Sequence, residues 1–265
     1  MQISNKTVWI TGASSGIGEA LAKAFFSQGA TVILSARNLS RLNELKSRLD
    51  RQVPERCFVV PSDITKSDEV LQAVATIQTL VPRLDILVNN AGVSQRSSVL
   101  ETGIQVYREL FEVNFFGAVE VTKSVLPWMI STGGGHVVVI SSMAGKYGFR
   151  MRSGYSAAKH ALHGFFETMR AELNEKNVRV TLICPGRVKT DISVNSLTGD
   201  GKKYGKMDAG QANGVPVERC ANIIVRAVKN NRKEVFIGRL EVFLLIVKRV
   251  CPDLYYLIVN RASPT

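Results

Sequence analysis

Two side chains raise the question of chemistry first. Tyr155 and Lys159 stand four residues apart in Gly154-Tyr155-Ser156-Ala157-Ala158-Lys159. On a helix that spacing puts a phenol and an ammonium on one face, one turn apart. A cation beside a phenol favours phenolate and lowers a pKa that starts at about 10, and a tyrosine so tuned exchanges a proton at neutral pH. The bland account of the same pair is surface packing. The following residues support a helix, because Ala158, Ala161, Leu162, Phe165, Phe166, Met169 and Leu173 form an apolar stripe running to about Lys176. Two more polar residues draw notice. Ser142 follows an apolar run and precedes Tyr155 by 13 residues, enough for a loop to fold back and face it. Asn114 lies in Val113-Asn114-Phe115-Phe116, within a helix predicted over 104–129. A buried asparagine needs partners, and either a structural bond to a neighbouring strand or a kink holding a water would supply them.

Alternating strands and helices must position these groups. Residues 7–11 form a short β-type run that stops at Gly12-Ala13-Ser14-Ser15-Gly16-Ile17-Gly18, after which Ile17, Ala20, Leu21, Ala24 and Phe25 recur at helical spacing up to Gly29. Glycines allow a tight turn and close approach of a phosphate, and the helix N-terminus behind them favours negative charge; the alternative is a plain glycine-rich turn. No Gly-Lys-Ser/Thr follows, which excludes the nucleoside-triphosphate P-loop. A second strand over 31–36 ends at Arg37, where a basic residue accommodates a 2′-phosphate and an acidic one a ribose hydroxyl. Arg37 therefore points to NADP(H) over NAD(H), against a merely solvated arginine. Further strands are predicted over 57–60, 84–88, 136–140, 178–183 and 234–237. Helices between them are marked by Leu42, Leu45 and Leu49, by Val70, Val74 and Ile77 behind a Ser67 cap, and by 221–228. This alternation predicts an α/β fold, one doubly wound parallel sheet of about seven strands in a single domain over 1–265. Ligands bind such sheets beyond the carboxyl ends of the strands, where Gly12, Arg37, Asp63, Asn90 and Ser142 all fall.

Other stretches bound the function. Residues 190–214 are polar and aperiodic, a length of irregular chain that is usually functional, and they are expected to form a mobile substrate lid. The 240–265 tail predicts two short apolar helices with basic flanks. These could lie on an anionic membrane surface, or pack on their own domain or a partner subunit. A net charge of +12 admits anionic ligands, acidic membranes or nucleic acid. No helix-turn-helix, zinc finger or aromatic-interleaved basic stretch is present, so nucleic acid is not expected. Cys57, Cys184, Cys220 and Cys251 are dispersed, and His136, His160 and His163 form no ligand set, so neither disulfides nor a metal is expected. The N-terminus carries no signal-like segment and no run reaches the length of a membrane span, so the expected location is cytoplasmic, peripheral to a membrane at most.

Taken together, these motifs resemble the short-chain dehydrogenase/reductase family over nearly the whole chain. Thr11-Gly12-Ala13-Ser14-Ser15-Gly16-Ile17-Gly18 is similar to that family's cofactor turn, Asn89-Asn90-Ala91-Gly92 to its sheet-stabilising motif, and Asp63 occupies its adenine-contacting position. Asn114, Ser142, Tyr155 and Lys159 match its catalytic tetrad in order and spacing. Pro185-Gly186, with Val188 and Thr190, matches its nicotinamide-side segment. The Ser141–Gly145 stretch and the tail look most like members acting on steroids, retinoids and other lipids. The resemblance implies hydride transfer between NADP(H) and a carbonyl or secondary alcohol. It gives Tyr155 the proton, Ser142 the substrate oxygen, Lys159 the ribose hydroxyls and Asn114 a relay water; Val188 and Thr190 take the carboxamide. A homodimer or homotetramer is also implied. An apolar pocket is suggested by Gly148, Phe149 and Met151, whereas Arg150 and Arg152 would suit an anionic group such as a 3-oxoacyl thioester. A non-catalytic NADP(H)-binding sensor or scaffold is the rival reading on the same fold.

Overall fold

The computed structural model describes residues 1–238 and 240–261. Seven parallel strands form one sheet: β1 (Thr7–Thr11), β2 (Thr31–Ser35), β3 (Cys57–Val59), β4 (Ile86–Asn89), β5 (Gly135–Ile140), β6 (Val178–Pro185) and β7 (Glu234–Ile237). Their spatial order is β3-β2-β1-β4-β5-β6-β7, with register fixed by pairs such as Trp9↔Ile33, Ile10↔Val88, Val88↔Val138 and Ile183↔Val235. The order reverses between β1 and β4, which opens a crevice at their carboxyl ends.

The strands are apolar on both faces, and their period of two sorts side chains into two cores. Val8, Ile10, Val32, Leu34, Val88 and Val138 point to one side. There they meet helix α1 (Gly16–Ser27) through Leu21 and Phe25, α2 (Leu39–Asp50) through Leu42, Leu45 and Leu49, and α8 (Val217–Lys229) through Ile224, Val225 and Val228. Trp9, Ile33, Leu87, Val137 and Val139 point to the other. They pack on α3 (Ser67–Leu80), α5 (Gly117–Ser131) and α6 (Ser153–Glu172) through Val70, Ile77, Val121, Val125, Leu162 and Phe166.

Several predicted bounds shift. The long helix over 104–129 is α4 (Ile104–Phe111), a π-turn at Glu112–Phe116, and then α5. The helix bearing Tyr155 ends at Glu172, and a 3-10 turn (Asn174–Lys176) closes at Asn177 in the left-handed region, φ 55°. Ser67 is the first residue of α3, with Lys66 at the cap position and no side-chain cap. Residues 190–214 remain mostly irregular but contain a short helix α7 (Ala209–Ala212) and bridges from Leu197 to Gln95 and Lys203. The tail folds as α9 (Leu240–Val250) and α10 (Pro252–Arg261); residues 262–265 of the predicted 240–265 segment lie outside the described residues. Leu244, Val247 and Tyr255 pack on Met143, Tyr147 and Cys184 of the chain's own domain. The Tyr147 hydroxyl donates to the Glu241 carbonyl at 2.9 Å and the Tyr255 hydroxyl to the Gly148 carbonyl at 3.2 Å. Phe243, Ile246, Val250 and Leu257 remain exposed on the pair. Among the described residues no helix is long and apolar enough to cross a membrane.

Candidate active site

At the β1 end, two loops are stitched together by side chains that the sequence itself supplies. The Asn90 side-chain amide donates to the carbonyls of Thr11 at 3.0 Å and Gly12 at 3.1 Å. The Thr11 hydroxyl accepts from the amides of Asn90 and Ala91 at 3.1 and 3.2 Å. The turn needs its glycines. Gly12 adopts φ +64° with Ala91 against it, and a Cβ on Gly18 would sit 2.2 Å from the Gly12 carbonyl oxygen. Ser15 does not cap α1 with its side chain, so the first amides of the helix are left for another acceptor. Together with the positive helix end, those amides suit a diphosphate. The residues present therefore fit a dinucleotide.

All the predicted site residues except Gly18 line one cleft of about 630 Å³: Gly12, Ser14, Ser15, Gly16, Ile17, Arg37, Asp63, Asn90, Ala91, Gly92, Asn114, Ser142, Tyr155, Lys159, Pro185, Gly186, Val188 and Thr190. Gly18 lies behind them, where it lets α1 approach Gly12 and Asn90. Arg37 is exposed at the rim. Asp63 accepts from the Thr65 amide and hydroxyl at 3.1 and 2.8 Å, which holds its carboxylate in place.

Tyr155, Ser142, Lys159 and Asn114 converge from three elements. Ser142 follows β5, and its hydroxyl accepts from the Ala144 amide at 3.1 Å and donates to the Pro185 carbonyl at 3.4 Å. Lys159 is buried, donates to the Ile140 carbonyl at 2.9 Å, and lies 5.7 Å from the centre of the Tyr155 ring. Burial pushes its pKa down to about 8. Asn114 sits in the π-turn. Its amide nitrogen donates to the carbonyls of Val93 at 2.8 Å and Leu110 at 2.9 Å, and its oxygen accepts from the Val93 amide at 3.3 Å. The bonds observed are therefore to backbone: one to its own helix and two to the chain just beyond β4.

The expected lowering of the Tyr155 pKa is corrected. Burial raises it, and what pulls it back is a hydrogen bond with Ser142 and the charges of Arg152 and Arg96. The Lys159 ammonium is held on the Ile140 carbonyl, and removal of the phenol from water outweighs the cations nearby.

Three residues that the motifs did not flag complete the site. Gln95 caps the helix bearing Tyr155: its side-chain oxygen accepts from the amides of Gly154 at 2.8 Å and Tyr155 at 3.3 Å, while its nitrogen donates to the Thr102 hydroxyl at 2.9 Å. Arg96 pairs with Asp208, Nε to Oδ2 at 2.8 Å, with both side chains 3% exposed. This pair ties residues 190–214 to the loop after β4. Gln211 donates to the Val188 carbonyl and, at 3.3 Å, to the Thr190 hydroxyl. None of these links follows a local spacing rule, and no sequence signal short of the fold would have found them.

Of the 146–152 loop, only Arg152 lines the cleft. Gly148, Phe149 and Met151 do not line the cleft directly: Phe149 packs behind it, with its ring centre 4.8 Å from that of Tyr147 and in the apolar cluster that holds Tyr155 and Leu197, and Arg150 bonds the Asn260 carbonyl. Apolar lining comes instead from Val93, Val113, Ile192 and Leu197. His163, read as part of no ligand set, lies 3.7 Å from the Cys184 sulfur and 3.5 Å from a Glu234 oxygen. Lys146, 2.6 Å from Glu234, already supplies a cation there.

Comparison with known proteins agrees with this architecture. The sequence pattern of the short chain dehydrogenase family matches residues 6–200. The dehydrogenase/reductase SDR family member 7B of Xenopus laevis is 39% identical over 262 residues, covering 97% of this chain and 81% of that protein. Two solved structures share the fold. A short-chain dehydrogenase/reductase from Burkholderia phymatum in complex with NAD has TM-score 0.85 at 21% identity, covering 100% of this chain and 98% of that one. A short-chain dehydrogenase from Burkholderia cenocepacia in complex with NADP has TM-score 0.82 at 24% identity, covering 99% and 100%. The chain belongs to the short-chain dehydrogenase/reductase family of oxidoreductases.

Proposed function

We propose that this oxidoreductase interconverts a carbonyl and a secondary alcohol with NADP(H), preferred over NAD(H), and that Tyr155 moves the proton. The observation that carries the reading is the convergence of Tyr155, Ser142 and Lys159 in one cleft with an uncapped helix end framed by glycines. A nicotinamide dinucleotide, when bound, supplies or accepts the hydride. Gly12, Ser14, Ser15, Gly16, Ile17 and Gly18 would hold its diphosphate, Arg37 a 2′-phosphate and Asp63 the adenine. Asn90, Ala91 and Gly92 would flank it, with Pro185, Gly186, Val188 and Thr190 at the carboxamide end. NAD and NADP are the dinucleotides of the two solved relatives.

The chain's own residues then do the following. Burial raises the Tyr155 pKa, so the phenol is protonated at neutral pH and is ready to donate to a carbonyl oxygen during reduction. Ser142 hydrogen-bonds that same oxygen and stabilises the charge that develops on it. Lys159 presents a buried cation to ribose hydroxyls. Asn114 fixes the Val93 backbone, and a water at its turn would relay protons towards Lys159. Val93, Val113, Ile192 and Leu197 suit an apolar substrate body, of the steroid, retinoid or lipid kind. Residues 190–214 act as the lid.

The reading extends to a homodimer or homotetramer in the cytoplasm, a compartment that suits the free thiols of Cys57, Cys184, Cys220 and Cys251. The exposed apolar side of the tail helices would rest on an anionic membrane surface. The test is Tyr155→Phe. Turnover of NADPH across a carbonyl panel should fall by about a thousandfold or more, in keeping with loss of general acid catalysis, while NADPH affinity stays within about twofold. Comparable turnover in the variant would remove Tyr155 from this role.

A further inference from the structure

Resting on that reading, we propose that Arg152 docks an anionic group, a carboxylate, on the otherwise apolar carbonyl substrate. Three charges lie together at the substrate end: Arg96, Arg152 and Asp208. Arg96 is fully engaged. It spends Nε and Nη2 on Asp208 and gives Nη1 to the Gln95 carbonyl at 2.7 Å and the Ser94 hydroxyl at 3.1 Å. Arg152 is not engaged in this way. Its one hydrogen bond runs from Nη2 to the same Asp208 oxygen at 3.4 Å, its guanidinium carbon lies 5.7 Å from the centre of the Phe149 ring, and its Nε, like Asp208 Oδ1, is buried with no hydrogen-bond partner. One carboxylate faces two guanidiniums, so the group keeps a net positive charge.

Arg152 lines the cleft with Tyr155 and sits just before the helix that bears it. Its side chain is only 15% exposed. A buried guanidinium with spare donors is costly to leave unmatched, and its planar fork fits a carboxylate through two parallel bonds. The other cleft charges at this end, Glu109, Asp191 and Lys203, are solvent-exposed and therefore screened. Val93, Val113, Ile192 and Leu197, which line the same cleft, take the apolar remainder. An aliphatic oxo acid combines both features.

The experiment uses the full chain and NADPH. It measures kcat/KM for a series of aliphatic oxo acids of increasing carbonyl-to-carboxylate spacing, each paired with its methyl ester. For the spacing that fits, the acid should exceed its ester by roughly ten- to hundredfold, carried by KM. Arg152→Met should bring the acid-to-ester ratio near one, and Arg152→Lys should keep part of it. Any effect of Arg152 on Tyr155 that both substrates feel alike cancels in the ratio, and reading the preference in KM separates docking from the proton-transfer step, which shows in kcat. The wild-type ratio stands as evidence even if a variant fails to fold. Esters reduced as well as acids at every spacing overturn the docking role and leave the oxidoreductase reading standing. The same holds for an acid preference that Arg152→Met leaves intact. No NADPH oxidation by either member of any pair, with the dinucleotide bound, overturns the reading beneath it as well.

Discussion

Asp208→Asn is the perturbation whose size the structure sets most directly. Asp208 is 3% exposed and faces Arg96, equally buried, and Arg152, 15% exposed. The substitution keeps the shape and one accepting oxygen, so the hydrogen bond from Arg96 Nε can persist. It removes the negative charge that offsets two guanidiniums. Removing one partner of a buried pair costs about 3–5 kcal/mol, and the retained hydrogen bond puts this case near the lower end, at about 3 kcal/mol. For a chain of this size that corresponds to a fall in Tm of roughly 6–12 °C. Because the pair tethers residues 190–214 to the loop after β4, the variant should also be cleaved faster within that segment by a nonspecific protease. Equilibrium denaturation in urea gives the free energy, and a cycle with Arg96→Met isolates the coupling. A loss below about 1 kcal/mol, the scale of an exposed ion pair, would refute the argument that these charges are desolvated and mutually dependent.

Three further outcomes are expected. Gly18→Ala places a methyl group 2.2 Å from the Gly12 carbonyl and 2.5 Å from the Asn90 amide nitrogen, so stability should fall by about 1–3 kcal/mol and the NADPH Kd should rise. Gly148→Ala, where nothing lies within 4 Å of the added atom, is the neutral control, and equal effects of the two would discredit the steric account. Arg37→Ser should raise the KM for NADPH roughly tenfold while sparing NADH; an unchanged ratio between the two cofactors would count against a 2′-phosphate contact. His136 is buried, bonded to the Thr181 hydroxyl at 2.8 Å, and its pKa is pushed down to about 4 from 6.5 by burial. The unfolded chain therefore binds the proton first as pH falls, and the stability held above about 6.5 is lost towards 4, by about 3 kcal/mol. In His136→Gln the slope of unfolding free energy against pH across that window should shrink by about one proton, and an identical slope would show that the imidazole is not held neutral.

What could be read from the sequence and what could not divide along a physical line. The glycine turn, the strand-end positions of Arg37 and Asp63, and the helical spacing of Tyr155 and Lys159 are local, and one cleft collects them. The strands were legible because both faces are apolar and short runs of β-branched residues stop at polar turns. The helix over 104–129 was legible as a helix, but its π-turn was not. That turn carries Asn114, which bonds the Val93 carbonyl 21 residues away. Arg96 and Asp208 are 112 residues apart, and Gln95 caps a helix that begins 58 residues later, at Ser153, so no window of sequence contains either arrangement. The tail was ambiguous for a related reason. Its helices are apolar enough for a lipid surface and also for Tyr147, and only the fold brings Tyr147 beneath them.

The protonation of Tyr155 shows why spacing alone can give the wrong sign. Four residues on a helix fix the direction of an ammonium only if nothing else accepts it, and here the Ile140 carbonyl does. The packing that buries the phenol in the cleft also strips water from it, and desolvation works on the phenolate from every side at once. A buried phenol that holds its proton needs cations placed for the moment of transfer rather than for the resting state. Arg152 and Arg96 lie where they act on Tyr155 and on whatever enters the cleft beside it. Substrate charge and tyrosine reactivity are therefore coupled through the same guanidiniums: an anion bound at Arg152 would offset part of the positive field on the phenol. A positive field favours loss of the phenol proton and favours it less when weakened, so an oxo acid should show a higher apparent pKa for the proton-transfer step than its neutral ester. The shift is measurable in the pH dependence of kcat, and equal profiles for the two would mean that the arginine and the tyrosine act independently.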